Sequence, residues 1–247
     1  MPWDFALILL VLGVLVPWRG AVRIRELLRQ PALTTADRLA VYATTLAFQW
    51  LAVGVTLWRA AARGLTAEHL AAVLPDPARA GYAAIVLTVV LLANQVFSLR
   101  RLARLPPERQ GVIGDLARKV MPQNLVESLA FTALACTVAL CEELLYRGFV
   151  FAALYDFAGQ SVPVAILGSS VFFALAHSYQ GRRGLLATFL VGLLFAGVRA
   201  WTGSLAPCVV VHLAVDFYAG LAAPRLLRAP AAAAASQPLP AGPAEGA

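Results

Sequence analysis

The chain has 247 residues and a formal net charge of +7, and 60% of its residues are hydrophobic while only 13% are charged. Soluble domains are about half apolar and about a quarter charged, so a mean hydropathy of +0.75 excludes an ordinary soluble domain. The positive charge does not indicate nucleic-acid binding, because the arginines lie between apolar runs, at the level where lipid headgroups are found.

Apolar runs follow one another along the whole chain, and the compact ones can cross a hydrocarbon core of about 30 Å as helices. They cover residues 3–18, 38–59, 81–99, 125–155, 162–177, 184–201 and 205–224. The fourth run is too long for one straight crossing, so we expect it to bend or to begin along the interface. These runs predict an all-α fold, a polytopic transmembrane helical bundle.

Three further segments have simple interpretations. The N-terminal sequence "MPWDFALILLVLGVLVPW" lacks a basic region and a small-residue cleavage site, so it predicts a retained helix rather than a signal peptide. Residues 106–122 mix polar and apolar side chains and predict an amphipathic helix on the cytoplasmic surface. Residues 225–247 are rich in Ala and Pro and predict a disordered tail.

The cysteines form no CxxC pair, which excludes a zinc ribbon or dithiol motif.

Arginine-rich loops alternate with arginine-poor loops. The rich ones are residues 19–37, 100–124 and 178–183, with Arg225 and Arg228 after the last run. The poor ones are residues 60–80, 156–161 and 199–204. With seven spans every rich loop falls on one side, and the positive-inside rule makes that side the cytoplasm. The N-terminus is therefore predicted outside and the C-terminus in the cytoplasm.

The stretch "CEELLYRGF" keeps three charged residues inside the fourth run, and an ionisable side chain within a membrane is by default a functional-site hypothesis. Residues four apart share a helix face, which predicts that Glu143 pairs with Arg147. Glu142 is turned about 100° away from that face. It is therefore left to face a cavity, where it is a candidate general base.

Two later runs carry histidines with the same four-residue spacing. The fifth run ends in "VFFALAH", with Phe173 and His177, and the seventh contains "VVVHLAVDFYAG", with His212 and Asp216. Each pair alone is compatible with helix packing or an interhelical hydrogen bond. Acid or imidazole groups on three separate helices favour one shared site.

The ordered set of these motifs resembles the CPBP intramembrane protease family. The three motifs are Glu142-Glu143-x-x-x-Arg147, Phe173-x-x-x-His177 and His212-x-x-x-Asp216. That family groups the CAAX prenyl endopeptidases with bacteriocin-processing and immunity proteins. The resemblance covers about Leu125 to Gly220, and the first three helices match only as apolar helices. It implies a bundle of about seven to eight helices around a polar intramembrane cavity in which a peptide bond is hydrolysed.

The resemblance also implies a role for each residue. Glu142 would activate a water molecule that His177 holds or polarises, while Glu143 and Arg147 fix the geometry of the first motif. His212 and Asp216 would line the cavity and support the oxyanion or the water.

One position departs from the eukaryotic prenyl-protein enzymes, which have Asn where this chain has Asp216. An ionised Asp cannot donate a hydrogen bond to an oxyanion, so Asp216 either orients His212 or stays protonated.

Two ways of activating water stay open. Glu142, His177, His212 and Asp216 could bind a divalent metal such as zinc with one position left for water. Alternatively, Glu142 and His177 could act with no metal, which we prefer because the chain has no H-E-x-x-H motif. Counting along the runs puts His177 nearer the cytoplasmic end than His212 and Asp216. Their convergence requires run four to begin in the interface and run five to tilt or extend.

Other intramembrane proteases fit less well. Ser169 and Ser170 in "LGSSV" are in the wrong frame for a serine protease of the GxSG type. Asp156 and Asp216 lack the GxGD setting of an aspartyl protease. The same polar groups could also serve a non-catalytic immunity or partner-binding protein, or a proton-relay transporter. Inverted-repeat halves, which would support a transporter, are not visible.

The predicted function is therefore that of a membrane-embedded endopeptidase of the CPBP type. We expect transmembrane helices and a basic loop in residues 1–105, the catalytic core in 106–224 and the tail in 225–247. The expected partners are membrane lipids and a peptide or protein substrate, either lipid-modified or an embedded leader peptide. The expected location is a bacterial inner (cell) membrane.

Overall fold

The computed structural model describes residues 1–227, and this part of the chain is helical with no strand. It forms eight helices in chain order. They are α1 (Trp3–Arg29), α2 (Thr35–Ala62), α3 (Pro77–Ala103), α4 (Gly111–Lys119), α5 (Leu125–Phe157), α6 (Val162–Ala176), α7 (Gly181–Thr202) and α8 (Ala206–Leu226). The predicted all-α bundle is confirmed. The tail predicted from residue 225 begins inside α8, and its remainder from Arg228 lies outside the described residues.

Side-chain caps determine where several helices begin. Thr34 and Asp37 form a reciprocal capping box at the start of α2. Asp76 caps α3, where Pro77 takes a first-turn position that needs no backbone N–H, and Asn124 caps α5. The apolar runs did not include the polar first turns of α2 and α3, so both helices begin before the runs that predicted them.

Within the described residues, six helices are long and apolar enough to cross a membrane. Together with the exposed apolar side chains on their outer faces, such as Trp58 and Phe97, they make this an integral membrane protein. The seventh apolar helix, α6, has only 15 residues and is about 22 Å long. The predicted amphipathic helix forms as α4, which is shorter than the segment 106–122.

Contacts between loops sort the ends of the helices into two sides. On one side, Lys119 donates to the carbonyl oxygens of Leu28 and Gln30, which joins the first and third connections. On the other, Arg199 donates to the carbonyl oxygen of His69, and the N–H of Leu205 donates to that of Ala71. The first and third connections, which are arginine-rich, therefore share one side, as the alternation predicted. That this side is the cytoplasm stays a prediction.

Helix α5 has 33 residues and is about 50 Å long, so it is longer than one membrane crossing. Its first turn carries Glu127, a buried carboxylate that accepts from Arg38 at 2.8 Å and from Thr35 at 2.6 Å. This ion pair attaches the start of α5 to the start of α2. Further along, the segment Glu143–Val150 is π-helical, and such wider turns often occur at functional sites.

The connection between α2 and α3 folds into the bundle, and Leu70 and Ala71 are buried. A methyl group on Gly148 would lie 3.3 Å from the carbonyl oxygen of Leu70 and 3.7 Å from the side chain of Leu205. Helix α8 therefore begins beside Gly148 of α5. Counted along the helices, His212 lies about 9 Å beyond the start of α8, and Glu142 lies about 9 Å from Gly148. Both distances run toward the same side of the bundle. This recessed start places His212 at the same depth as Glu142.

Candidate active site

Three helices bring the six predicted site residues together. Helix α5 supplies Glu142, Glu143 and Arg147, His177 follows the last residue of α6, and α8 supplies His212 and Asp216. Short contacts link all six: each is within 4.0 Å of at least one other.

Glu143 is the buried centre of the first motif. Its Oε1 accepts from Nη1 of Arg147 at 3.0 Å, which is the pairing predicted from the four-residue spacing. The same oxygen accepts from Nδ1 of His212 at 2.8 Å. A carboxylate only accepts, so Nδ1 of His212 carries the hydrogen and Nε2 points away from Glu143. Glu143 thus fixes both the orientation and the tautomer of a histidine on another helix.

Arg147 has no exposed surface and lies between two aromatic rings. Its guanidinium carbon is 3.9 Å from the ring centre of Phe173 and 5.2 Å from that of Phe195. Such stacking suits the flat guanidinium group and favours it over a lysine ammonium. Phe173, the other conspicuous residue of the second motif, therefore supports the cation of the first motif.

His177 is held by its own helix. Its Nδ1 is 2.8 Å from the carbonyl oxygen of Phe173, one turn earlier. A carbonyl only accepts, so Nδ1 carries the hydrogen and the Nε2 of the neutral ring is free to accept. The two histidines thus have the same arrangement: each Nδ1 is occupied by a structural oxygen, and each Nε2 points into the site.

Both Nε2 atoms approach one oxygen of Glu142. The distances from Oε2 to Nε2 of His177 and of His212 are both 3.9 Å. This is too long for a direct hydrogen bond, and Oε2 is buried without a hydrogen-bond partner. The other oxygen, Oε1, accepts from Nε2 of Gln49 on α2 at 3.1 Å. Glu142 is therefore held on one side and free on the side that faces the histidines.

Asp216 is the most exposed member of the set. Its Oδ2 lies 3.5 Å from Nε2 of His212, and 34% of its side chain is exposed. The shorter contact of His212, at 2.8 Å, is with Glu143. Glu143 rather than Asp216 therefore orients the ring in this arrangement, while Asp216 lies at the mouth of the site beside Nε2.

A cavity of about 100 Å³ opens beside Glu142 and His177. Its walls come from α1, α2 and α5 and from the turn after α6, and they are mainly apolar. The lining includes Leu12, Val16, Phe48, Ala52, Leu145 and Tyr179. A water molecule occupies about 30 Å³ in the liquid, so the cavity has room for a few waters or for one small group of a substrate.

The donor atoms of the site are of types that bind metals, since each Nε2 is free and each Nδ1 is held by an oxygen. However, no group of three or more His, Cys, Asp or Glu side chains in residues 1–227 has an arrangement suited to a metal ion. The residues in their present positions therefore do not fit a metal site, and no step below depends on a metal.

The residues considered for other protease types have structural contacts. The hydroxyls of Ser169 and Ser170 both donate to the carbonyl oxygen of Ile166 on their own helix. Neither forms a hydrogen bond with a histidine in the described part of the chain. Asp156 lies in the last turn of α5, fourteen residues beyond Glu142.

The same helices are the part of the chain that matches a known family. Residues 124–218 match the family model described as type II CAAX prenyl endopeptidase Rce1-like. This part of the chain is similar to the Rce1-like family. The Rce1-like segment contains all six site residues, and the predicted CPBP resemblance is confirmed for it. No curated protein and no solved structure matches the chain.

Sequence reasoning did not identify two residues that contact the site. Gln49 comes from α2, outside the Rce1-like segment, and Phe195 comes from α7. Gln49 had a detectable signal, because it is a polar side chain within the apolar run 38–59. Phe195 had none, since a phenylalanine in an apolar run is typical of a membrane helix.

Proposed function

We propose that this protein is an intramembrane endopeptidase in which Glu142 activates the water that attacks the peptide bond. The observation that carries the proposal is the free Oε2 of Glu142, which is 3.9 Å from Nε2 of two histidines. Polar atoms at such a separation are commonly bridged by a water molecule. In this position one water could donate one hydrogen to Glu142 and the other to His177.

The chemistry follows from these two acceptors. Glu142 takes a proton from the water while the water oxygen attacks the carbonyl carbon, giving a tetrahedral intermediate with a negatively charged oxygen. Glu142 then returns the proton to the departing amine as the carbon–nitrogen bond breaks. Nε2 of His177 accepts a hydrogen bond from the second hydrogen of the water. This bond directs a lone pair of the water oxygen toward the carbonyl carbon. Atoms and charge balance with Glu142 ionised again at the end.

His212 is suited to the oxyanion. When it carries a proton on Nε2 as well as on Nδ1, the Nε2–H can donate to the developing negative oxygen. Glu143 holds the ring in the orientation that this donation needs, and Asp216 lies 3.5 Å from the same nitrogen. Asp216 thus acts through His212 in this proposal and does not itself need to donate to the oxyanion.

The test uses purified protein in detergent and two fluorogenic peptides. One ends in a farnesylated Cys followed by Val-Ile-Met, and the other is the same peptide without the farnesyl group. We expect Glu142→Gln, Glu142→Ala and His177→Ala to lower kcat by at least about 100-fold. Full cleavage by all three variants would exclude the proposed roles. A comparison of the two peptides then shows whether the substrate must carry a lipid.

A separate experiment tests whether cleavage depends on a metal ion. We expect dialysis against a chelator to leave the cleavage rate unchanged, because the residues do not form a metal site as they stand. Loss of cleavage that zinc restores, while magnesium does not, would overturn the metal-free mechanism and leave the assignment as a peptidase intact.

A further inference from the structure

Gln49 links the site to a helix that lies outside the Rce1-like segment. It belongs to α2 and is half-buried, and its Nε2 donates to Oε1 of Glu142 at 3.1 Å. Across residues 1–227 this is the single hydrogen bond that the structure gives to the Gln49 side chain. Glu127 and Arg38 each form several hydrogen bonds, including bonds to loop atoms. Gln49 has no such additional partner among the described residues.

An amide within a membrane helix is costly unless it is hydrogen-bonded. The neighbours of Gln49 in the sequence are Phe48, which borders the cavity, and Trp50, which is exposed. Gln49 points inward to the cavity that Glu142 and His177 line. Its one partner is thus the carboxylate to which the proposed function assigns the reaction.

The hydrogen bond constrains the free oxygen of Glu142. A glutamate side chain rotates broadly about its last bond, and a carboxylate is planar. Holding Oε1 therefore also fixes the direction of Oε2. In the observed orientation Oε2 is equally distant, at 3.9 Å, from Nε2 of His177 and of His212. Without the amide, the carboxylate could turn away from the histidines, or either oxygen could face the cavity.

We propose that Gln49 is a positioning residue for peptide hydrolysis, because its amide holds Glu142 with one oxygen aimed at the water between the two histidines. This inference rests on the proposed function. It extends the site to α2, so that the first part of the chain contributes to the reaction as well as to the membrane anchor. Removing the amide should lower kcat rather than raise KM, because the amide orients the base and does not contact the substrate in this role.

The variant Gln49→Met tests the proposal, since Met has nearly the same length and shape but no N–H. With the farnesylated peptide we expect kcat to fall by about 10- to 100-fold, which corresponds to a hydrogen bond to a charged group, and KM to stay within about twofold. Gln49→Glu, which has a like charge and no donor when ionised, should lower kcat further. Thr45→Val is the matched control. Thr45 lies one turn away on α2 and bonds only to the carbonyl oxygen of Val41, so its kcat should be unchanged.

A second measurement needs no substrate. Thermal unfolding in detergent of Gln49→Met, Glu142→Met and the double variant forms a cycle that reports the coupling of the two side chains. We expect the effects on Tm to be non-additive by about 2–4 °C. Additive effects on Tm, or a kcat of Gln49→Met within twofold of the wild type, would overturn the role of Gln49. Undiminished cleavage by Glu142→Gln would instead overturn the proposed function.

Discussion

Glu142 and Glu143 are neighbours in the chain, and Oε2 of each is buried without a hydrogen-bond partner, yet their other contacts differ. Glu143 is fully buried and accepts from Arg147 and His212 through one oxygen. Glu142 borders the cavity, is held by Gln49 and keeps Oε2 free. One carboxylate thus stabilises the arrangement of two helices, and the other is available for chemistry.

This difference predicts effects of unequal size on stability. Glu143→Gln leaves the buried guanidinium of Arg147 without its counter-charge, which costs about 3–5 kcal/mol and lowers Tm by about 10 °C. Glu142→Gln should change Tm by less than about 3 °C, because the nearest histidine nitrogens are 3.9 Å away, beyond hydrogen-bond distance, and glutamine can still accept from Gln49. Tryptophan fluorescence during heating in detergent measures both variants. Equal melting temperatures would contradict the division of roles, whatever happens to cleavage.

At the scale of helices, close contacts align the groups that react. Helix α8 carries His212 and Asp216 and lies against α5, where Gly220 faces the buried ring of Phe131. A methyl group on Gly220 would overlap that ring, and the ring itself packs edge-on against Tyr42 of α2. The absence of a side chain at Gly220 therefore allows α8 to approach α5 at the distance the site requires.

Gly220→Ala should push α8 away from α5 and so lower both Tm and kcat, the latter by about tenfold, since small displacements of catalytic groups are costly. Gly54→Ala on α2 is the control, because a methyl group there meets nothing within 4 Å. That variant should be neutral or slightly stabilising. If the two variants behave alike in heating and in cleavage assays, close packing at Gly220 does not control the site.

At the scale of the whole molecule, the bundle has a basic side and an arginine-poor side. The connections on each side touch one another, through Lys119 with Leu28 and through Arg199 with His69. His177 follows α6 at the basic side, so the proposed reaction lies nearer that side than the other. Under the positive-inside rule, the substrate would be cleaved close to the cytoplasmic face.

Cysteine labelling in intact bacterial cells tests this orientation. A membrane-impermeant maleimide should label Glu68→Cys directly, and it should label Arg104→Cys only after the cells are opened. Both positions are exposed, on opposite sides of the bundle. Wild-type protein serves as the blank, because Cys141 and Cys208 are buried and the exposed Cys136 lies along the membrane-crossing length of α5, out of reach of a water-soluble reagent. The reverse pattern would invert the predicted topology.

Much of the fold was predictable because a membrane leaves few choices for a backbone. Every buried N–H and C=O must be paired internally, so apolar runs of sufficient length become helices. The pairing of Glu143 with Arg147 was predictable for a similar reason, since four residues of helix place two side chains on one face. The predicted helices did not include the capped first turns of α2 and α3, because these turns are polar and the helices were predicted from apolar runs.

The partners across helices could not be predicted in the same way. The bond between His212 and Glu143 joins residues 69 positions apart, and that between Gln49 and Glu142 spans 93 positions. No periodicity extends between separate helices, so these contacts depend on how the helices pack. The depth of His212 likewise depended on the buried connection at Leu70, which lets α8 begin inside the bundle.

The sequence by itself determined that this chain is a helical membrane protein and which six ionisable residues form the candidate site. It could do so because the cost of placing a charge in hydrocarbon depends on residue type and local context alone. Only the tertiary structure decided which oxygen of which carboxylate is free and which side chains hold the others. Those outcomes depend on distances of a few ångströms between helices, and packing alone determines them.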